Sequence, residues 1–348
     1  MARPPRRIPV ISLYSGAGGL DRGLDLTHRF RTDAFVEFDA AAIETLEANF
    51  TGGVFGEDIA RVTAPALLRK AGLSKGDDFL LAAGPPCQLW SHARFWLEDM
   101  SKVSRDPAAT TLDHFVRVLE GSRPRAFLFE NVWGLAYKTH ARVLNRLRAR
   151  VKRSGYRTWV KVVNAADYGV PQLRRRLIMI GARDVEADFE FEFPRPTHGT
   201  DYREFQTAGH AIRAIADRDE FAEDDERVNG KWGHLLPGIP RGGNYLHYTA
   251  ERGYPKPIFN WRSKYWHFLL KLDPALPSWT LAASPGPYAG PFHWKNRRLR
   301  VPEIKLLQTF PMTYEVAGNH REQRRQLGNA VPPRLACAIG RSVARQLF

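Results

Sequence analysis

Cysteine is scarce in this chain of 348 residues, which has only Cys87 and Cys337. They are far apart and do not form a Cys-x-x-Cys pair. Two isolated cysteines argue against a disulfide scaffold and against a zinc site, and no metal is expected. No stretch approaches the roughly 18 consecutive apolar residues that a membrane span requires, and no small-residue cleavage site follows the basic first residues. Repeats and low-complexity tracts are also missing. The expected setting is a reducing, intracellular compartment away from the membrane.

Acidic residues are outnumbered, with 37 Asp and Glu against 52 Lys and Arg, and the formal net charge is +15. This balance suits a polyanionic partner, because each neutralised phosphate releases counterions. Charge alone does not identify a nucleic acid, since a generally basic enzyme would share it. The short acidic run from Phe221 to Arg227 is interpreted as a solvated loop.

One apolar run, Leu80–Ala83, reads as a buried strand that stops at Gly84-Pro85-Pro86. The turn delivers Cys87 and Gln88 to the carboxyl end of the strand, the edge of an open α/β sheet where ligands bind. Two prolines restrict the backbone there, so Cys87 is presented by a stiff turn. Taken alone, the cysteine would be better explained as a small buried hydrophobe.

Two further apolar runs have polar side chains beside them. Phe127–Phe129 ends at Glu130, and Leu177–Gly181 is preceded by Gln172, Arg174 and Arg176. Because alternate residues of an extended segment point to one face, the glutamine and both guanidinium groups are expected to converge on one ligand.

The chain begins with a strand-like run, Ile8–Leu13, and a glycine-rich turn from Tyr14 to Gly19. Glycines at this position let backbone N–H groups approach a ligand at a helix N-terminus. A second strand-like run ends at Glu37, whose carboxylate suits two ribose hydroxyls. These features fit any nucleotide-binding Rossmann fold, including a nicotinamide-dependent oxidoreductase.

Helices and strands alternate through the first half of the chain, which predicts a mostly parallel sheet with helices on both faces. Between about residues 195 and 297 this periodicity fades, and aromatic and basic residues interleave, a composition suited to contacting bases. A loop-rich structural insert is the alternative. The last predicted helix, from Pro333 to Phe348, carries Cys337 on its buried face.

The chain resembles the DNA (cytosine-5)-methyltransferases, and the resemblance rests on motifs in that family's usual order. They cover both ends of the chain and leave one gap, at roughly residues 195 to 295. The matching segments are Ser15–Leu20, Glu37 with Asp39, Asp58-Ile59, Gly84–Gln88, Glu130–Val132, Tyr168–Gln172 with the following arginines, Leu306–Pro311 and Gly328–Pro333.

This resemblance implies an α/β fold: a Rossmann-like catalytic domain that depends on S-adenosylmethionine, with a smaller, loop-rich target-recognition domain. The implied domains are residues 1–194, 195–296 for target recognition, and 297–348, where the last helix returns to pack beside the first cofactor strand. Ser12 and Tyr14 depart from the family, which commonly has Asp and Phe there. The implied cofactor-binding residues are Tyr14, Gly16, Gly18, Gly19, Leu20, Glu37, Phe38, Asp58, Ile59, Pro86 and Asn329.

The resemblance also implies the chemistry. Cys87 would attack C6 of a flipped-out cytosine, Glu130 would hydrogen-bond its N3, and Arg174 and Arg176 would hold the base carbonyl and favour the Cys87 thiolate. The implied DNA contacts are Gln88, Ser91, Arg94, Gln172 and Thr280.

Double-stranded DNA is therefore the expected partner, and a prokaryotic restriction-modification enzyme, monomeric and cytoplasmic at the nucleoid, is the expected setting. A cognate restriction endonuclease would act on the same site without direct contact. Two readings compete with this one: an RNA cytosine-5 methyltransferase acting on tRNA, and a catalytically inactive DNA-binding paralogue.

Overall fold

The computed structural model describes residues 7–86 and 107–348, so that Cys87, Gln88, Ser91 and Arg94 lie outside the described residues. The strands within these ranges are β1 (Ile8–Leu13), β2 (Phe30–Val36), β3 (Gly53–Phe55), β4 (Leu80–Ala83), β5 (Ala126–Val132), β6 (Arg157–Asn164), β7 (Gln172–Leu173), β8 (Arg175–Ala182) and β9 (Ser278–Trp279).

Seven of these strands form one sheet in the order β3-β2-β1-β4-β5-β8-β6. Strands β1 to β5 are parallel, which confirms the predicted mostly parallel sheet, whereas β8 runs antiparallel between β5 and β6. The carboxyl ends of β1, β2, β4 and β5 therefore meet at one edge. Strands β7 and β9 form a separate parallel pair.

Helices cover both faces of the sheet. They are α1 (Gly19–Asp25), α2 (Ala40–Asn49), α3 (Ala64–Ala71), α4 (Pro107–Ser122), α5 (Ala141–Arg153), α6 (Ala208–Ile212), α7 (Val301–Leu307), α8 (His320–Asn329) and α9 (Pro333–Leu347). Residues of α3, α4 and α5 share one core cluster with the sheet, and residues of α1 and α9 share another.

Successive side chains of a strand belong to different core clusters. In β4, Leu81 packs in the cluster with α3, α4 and α5, whereas its neighbour Leu80 packs in the cluster with α1 and α9. Successive side chains of a strand point to opposite faces, and a central parallel strand is buried on both. The continuous apolar run in the sequence follows from this double burial.

The C-terminal helix α9 lies against α1, and the two backbones approach closely at Gly23. A Cβ atom there would stand 2.3 Å from the Ala336 Cβ atom and 2.4 Å from the Pro333 carbonyl oxygen, which only glycine avoids. Leu335 and Ile339 of α9 share a core cluster with Val10 of β1. The last residues of the chain thus complete the layer that covers its first strand.

Residues 195–296 contain the short helix α6, strand β9 and several 3₁₀ turns. Part of this region has its own aromatic core, which includes Tyr245, Phe259, Phe268 and Phe292. The segment around α6 instead packs in a cluster with α7 and α8. No helix among residues 7–86 and 107–348 is long and apolar enough to cross a membrane.

The acidic run from Phe221 to Arg227 is largely an exposed loop, as its composition suggested, but two of its carboxylates are used in ion pairs. Glu223 forms an ion pair with Arg324 of α8, and Glu226 lies 2.7 Å from Nε of Arg300. Both carboxylates are mostly buried, so the run joins the 195–296 region to α7 and α8. The sequence did not indicate these two ion pairs, because the partner cations lie about 70 to 100 residues away.

Candidate active site

A cavity of about 610 Å³ opens at the carboxyl ends of β1, β2, β4 and β5. Its volume falls in the range of pockets that bind small molecules. Residues from both ends of the chain line it, including Tyr14, Gly16, Gly19, Leu20, Glu37, Phe38, Asp58, Ile59, Pro86, Glu130, Arg174, Arg176 and Asn329.

The glycine-rich turn forms one wall of this cavity. Gly16 and Gly18 have φ angles of 52° and 66°, in the left-handed region that favours glycine. A Cβ atom at Gly16 would meet nothing within 4 Å, so the backbone there borders open space. A Cβ atom at Gly19 would stand 2.3 Å from the Val331 carbonyl oxygen. The turn is thus open toward the cavity and tightly packed behind it.

The Glu37 carboxylate closes the turn from the neighbouring strand. Its Oε2 accepts a hydrogen bond from the Gly16 N–H (2.8 Å), and its Oε1 accepts from the N–H groups of Phe38 (2.9 Å) and Asp39 (3.0 Å). A carboxylate has about four lone-pair sites, so it retains capacity for a ligand hydroxyl. The Phe38 ring is 70% exposed at the rim and can stack on a planar base.

Tyr14 and Asp58 both make local structural contacts at this cavity. The Tyr14 hydroxyl donates to the Thr111 carbonyl oxygen (2.7 Å) and so ties the glycine-rich turn to α4. Burial raises the pKa of this hydroxyl well above its ordinary value, which keeps it a donor. Asp58 Oδ1 accepts from the Ala60 N–H (2.8 Å) within a turn that precedes α3.

Asp21 is a buried carboxyl group behind the glycine-rich turn that reasoning from the sequence missed. Its side chain is inaccessible to solvent, its Oδ1 accepts from the Thr32 hydroxyl (3.1 Å), and its Oδ2 has no hydrogen-bond partner among the described residues. Burial raises the pKa of Asp21 to about 6, and hydrogen bonds from the Ser12 and Thr32 hydroxyls oppose that shift only in part. The sequence could have indicated this burial, because Asp21 stands beside apolar residues at the start of a helix that must pack against the sheet.

Replacing Asp21 with Asn is expected to stabilise the protein at neutral pH more than at acidic pH. The folded pKa of about 6 exceeds the ordinary aspartate value of 3.8, so the folded state holds a proton that the unfolded state releases. Wild-type stability should therefore fall as the pH rises through that window, by about 1 to 3 kcal/mol. Urea unfolding of Asp21→Asn and wild type across this range measures the difference.

The exposed Asp224 provides the control, since Asp224→Asn removes a carboxylate that is not buried. Its effect on the free energy of unfolding should not change across the same pH range. A stability difference between Asp21→Asn and wild type that is the same at every pH would contradict the expected burial of a protonated carboxyl group.

The carboxyl end of β5 places Glu130 on the cavity. Glu130 is 7% exposed, and its Oε1 lies 2.8 Å from Nε of Arg176. Burial raises the pKa of Glu130, whereas the charges of Arg176 and Arg174 oppose that shift. A carboxyl group in these surroundings can hold a proton and donate a hydrogen bond to a ligand.

Glu130 also adjoins the turn that leads to Cys87. A Cβ atom at Gly84 would stand 3.6 Å from Glu130 Oε2. The next residue, Asn131, is 2% exposed and donates from Nδ2 to the Pro85 carbonyl oxygen (3.2 Å). Asn131 was not singled out from the sequence, although it follows Glu130 directly. It fixes the position of the turn relative to β5.

Arg174 and Arg176 differ in their surroundings. Arg176 Nη1 donates to the Arg175 carbonyl oxygen (2.8 Å) and its Nε reaches Glu130. Arg174 is fully buried, and its Nη2 donates to the Gly328 carbonyl oxygen (2.7 Å). Its Nη1 donates to the Leu281 carbonyl oxygen (3.3 Å). Arg174 therefore joins β8 to segments far along the chain.

The expected exposure of Gln172 to DNA is corrected by the structure. Gln172 is fully buried, its Nε2 donates to Gln308 Oε1 (3.1 Å), and its Oε1 accepts from the Leu281 N–H (3.2 Å). The amide is used to satisfy buried polar groups where β7 meets β9. Thr280 is half-buried, and its hydroxyl donates to the Leu173 carbonyl oxygen (2.7 Å).

One group of three potential metal ligands occurs among the described residues, formed by Glu223, Asp225 and His320. The Arg324 guanidinium forms ion pairs with both of these carboxylates, at 2.5 Å for Asp225. The two carboxylates of this group are therefore neutralised by an arginine of the chain itself.

Comparison with known proteins agrees with this geometry. The family model for C-5 cytosine-specific DNA methylase matches residues 8–345. Type II methyltransferase M.SacI of Streptomyces achromogenes is 41% identical over 370 residues, which cover 98% of this chain and 93% of that protein. Type II methyltransferase M1.HphI of Haemophilus parahaemolyticus is 32% identical over 347 residues, covering 97% and 87%.

Solved structures show the same fold. A chain described as a DNA modification methyltransferase of an E. coli prophage superimposes with a TM-score of 0.68 at 24% identity, over 98% of this chain and 99% of that one. Entamoeba histolytica methyltransferase EhMeth superimposes with a TM-score of 0.66 at 15% identity, over 99% of each chain. A match to the family model over nearly the whole length, together with relatives of this identity, shows that the chain belongs to the C-5 cytosine-specific DNA methylases.

Proposed function

We propose that this DNA methylase transfers the methyl group of S-adenosylmethionine to C5 of a cytosine flipped out of a specific short DNA sequence, through a covalent bond between Cys87 and C6. The observation that carries the proposal is the Glu130 carboxyl group. It is buried, paired with Arg176, adjacent to the Gly84-Pro85-Pro86 turn that precedes Cys87, and on the same cavity as the glycine-rich turn.

The residues of the cavity fit S-adenosylmethionine, which supplies an electrophilic methyl group. The open backbone at Gly16 would border its methionine part, with Gly19 and Leu20 lining that wall. Gly18 does not line the cavity and instead packs against Phe50 and Tyr314, so it would support the turn from behind. Glu37 would accept hydrogen bonds from the ribose hydroxyls. Phe38 and Ile59 would flank the adenine, and Asp58 would accept from its amino group. Tyr14, Pro86 and Asn329 would complete the enclosure.

The chemistry follows from the poor nucleophilicity of cytosine C5. A bond from the Cys87 thiolate to C6 makes the ring electron-rich, and cysteine is well suited because its thiolate is strongly nucleophilic. Glu130 in its protonated form would donate to N3 and stabilise the charge that develops on the ring. After methyl transfer to C5, removal of the C5 proton and elimination of the thiolate restore the aromatic ring and release Cys87.

The two arginines take different roles in this scheme. Arg176 would orient Glu130 and contact the base carbonyl, since its guanidinium lies at the cavity beside that carboxyl group. Arg174 would act as a positioning residue, because its guanidinium holds the Gly328 and Leu281 carbonyl oxygens while its charge faces Glu130. The cytosine must leave the duplex, since C6 is inaccessible within stacked DNA.

Residues 195–296 would form the target-recognition domain, between catalytic segments 1–194 and 297–348. Large aromatic side chains are exposed there beside cations. The Trp261 ring lies 5.6 Å from the Arg252 guanidinium and 5.8 Å from that of Arg262. Trp266 packs near Trp279, and they are 48% and 37% exposed. Such groups stack on bases and neutralise phosphates, and Thr280, Gln88, Ser91 and Arg94 are further candidates for contacts with DNA.

The names of the relatives are those of Type II modification enzymes. We propose that this methylase belongs to a restriction-modification system and acts as a cytoplasmic monomer on sites that a cognate endonuclease would otherwise cut. No metal takes part in the proposed reaction.

The decisive experiment compares wild type with Cys87→Ser on unmethylated genomic DNA with labelled S-adenosylmethionine, followed by bisulfite sequencing. We expect methylated cytosines at one short motif with wild type and a loss to background with the variant. DNA that contains 5-fluorocytosine should trap wild type covalently, because C5 then has no proton to remove. Methylation of tRNA but not DNA by wild type, or full activity of Cys87→Ser, would contradict the proposal.

A further inference from the structure

A second, larger depression of about 1390 Å³ lies between the outer face of α9, the segment Tyr168–Pro171, and residues 192 to 213. It shares no lining residue with the cavity at the carboxyl ends of the strands. We call it the basic groove, because its charged side chains are almost all cationic. The arginines that line it are Arg195, Arg203, Arg213, Arg334, Arg341 and Arg345.

These six arginines are exposed, and none forms an ion pair with a carboxylate of the part of the chain that the structure describes. Glu192 is the one acidic residue among the lining residues. Clustered charges of one sign repel each other and cost stability unless a counter-charge neutralises them. Some arginines outside the groove are paired with carboxylates, such as Arg297 with Glu303 (2.7 Å) and Arg300 with Glu226 (2.7 Å).

The half-buried His198 and the buried Cys337 both line the groove beside these arginines. Burial lowers the pKa of His198, and the charges of Arg334 and Arg203 lower it further. Burial raises the pKa of the Cys337 thiol, and the charges of Arg341 and Arg334 oppose that rise. The guanidinium groups from α9 and from the 192–213 segment therefore act on the same volume.

The arrangement of the cations matches a linear anion. Arg334, Arg341 and Arg345 recur at intervals of seven and four residues, so they lie along one exposed face of α9 while its other face packs on α1. Arg203 and Arg213 supply the opposite wall. Guanidinium groups bind phosphate oxygens through paired N–H donors, and a duplex carries one phosphate charge per about 1.7 Å of its axis.

We propose that the basic groove binds the sugar-phosphate backbone of duplex DNA outside the cytosine that is methylated, without regard to sequence. The occupant is DNA because the enzyme belongs to a family of DNA methylases and because six guanidinium groups line the groove. Contacts of this kind hold a protein on DNA between specific sites and speed its search for them.

The test uses an alternating dA·dT duplex, which contains no cytosine and so no methylation target. Binding to wild type and to the triple variant Arg203→Gln/Arg341→Gln/Arg345→Gln is measured by fluorescence anisotropy over a series of salt concentrations. We expect the slope of log K against log salt to become shallower by about 2 to 3, since each lost phosphate contact removes about 0.9. Thermal unfolding of the variant checks that it remains folded.

A second triple variant, Arg69→Gln/Lys75→Gln/Arg153→Gln, removes the same charge from exposed positions outside the groove. It should leave the slope unchanged. Equal slopes for wild type and the groove variant, equal losses in the two variants, or a larger loss for single-stranded RNA than for duplex DNA would each overturn the proposal. The probe needs neither cofactor nor cytosine, so the result stands apart from the outcome for Cys87.

Discussion

Replacement of Glu130 by Gln is expected to lower the rate of DNA methylation by about 10²- to 10⁴-fold, the range typical of a lost general acid. The amide keeps the size of the side chain but cannot supply a proton to cytosine N3. The carboxyl group is buried, and burial raises its pKa, so the protonated form is accessible in the wild type. Single-turnover methylation of a plasmid with labelled S-adenosylmethionine measures the effect.

The affinity for S-adenosylmethionine should change little in Glu130→Gln, because the ribose and adenine would be held by other residues of the cavity. Isothermal titration of the cofactor separates a chemical defect from a folding defect. Glu47→Gln, which makes the same substitution at an exposed position of α2, should retain wild-type activity. A methylation rate in Glu130→Gln within a few-fold of wild type would refute the assigned role.

Replacement of Glu303 by Ala is expected to lower the free energy of unfolding by about 3 to 5 kcal/mol, because it removes the closest carboxylate of the buried Arg297 and leaves only Glu226, 3.5 Å from its Nε. Glu303 is inaccessible to solvent, and its carboxylate accepts from both terminal nitrogens of Arg297 at 2.9 and 2.7 Å. It also accepts from the Arg300 N–H at 2.9 Å. Equilibrium unfolding in urea gives the difference in stability.

Glu322 is a matched control, since it occupies the same N3 position in the capping box of α8 that Glu303 occupies in α7. Its Oε2 accepts from the Asn319 N–H (2.9 Å), and no arginine among residues 7–86 and 107–348 forms an ion pair with it. Glu322→Ala should cost about 0.5 to 2 kcal/mol, the usual cost of a lost cap. If the two alanine variants lost equal stability, the buried pair with Arg297 would contribute nothing.

The sequence predicted best the strands that are buried on both faces. Leu80–Ala83 and Phe127–Phe129 are apolar on both faces, and the structure confirms them as the parallel strands β4 and β5. The glycine-rich turn was also predicted from the sequence. Its glycines are required, because a positive φ at Gly16 and Gly18 excludes most other residues. Cys337 is buried as expected.

Predictions for single polar residues were less secure. The alternation of Gln172, Arg174 and Arg176 was read correctly as extended backbone, and both arginines do line the cavity. The Gln172 side chain can be buried because it forms a hydrogen bond with Gln308, which is 136 residues away in the sequence. Nothing in the local sequence indicates that this amide will be buried.

The sequence by itself determined the family, the mostly parallel sheet and the residues proposed for chemistry, because those follow from apolar runs, glycines and motifs that are local in the chain. The tertiary structure alone decided which charges would be paired. It buried Asp21 behind the turn, joined Arg174 to Gly328 across 154 residues, matched Arg297 with Glu303, and left the arginines of the basic groove without carboxylate partners among the described residues. Electrostatic pairing and desolvation depend on distances of a few ångströms between segments far apart in sequence, and only the folded chain sets those distances.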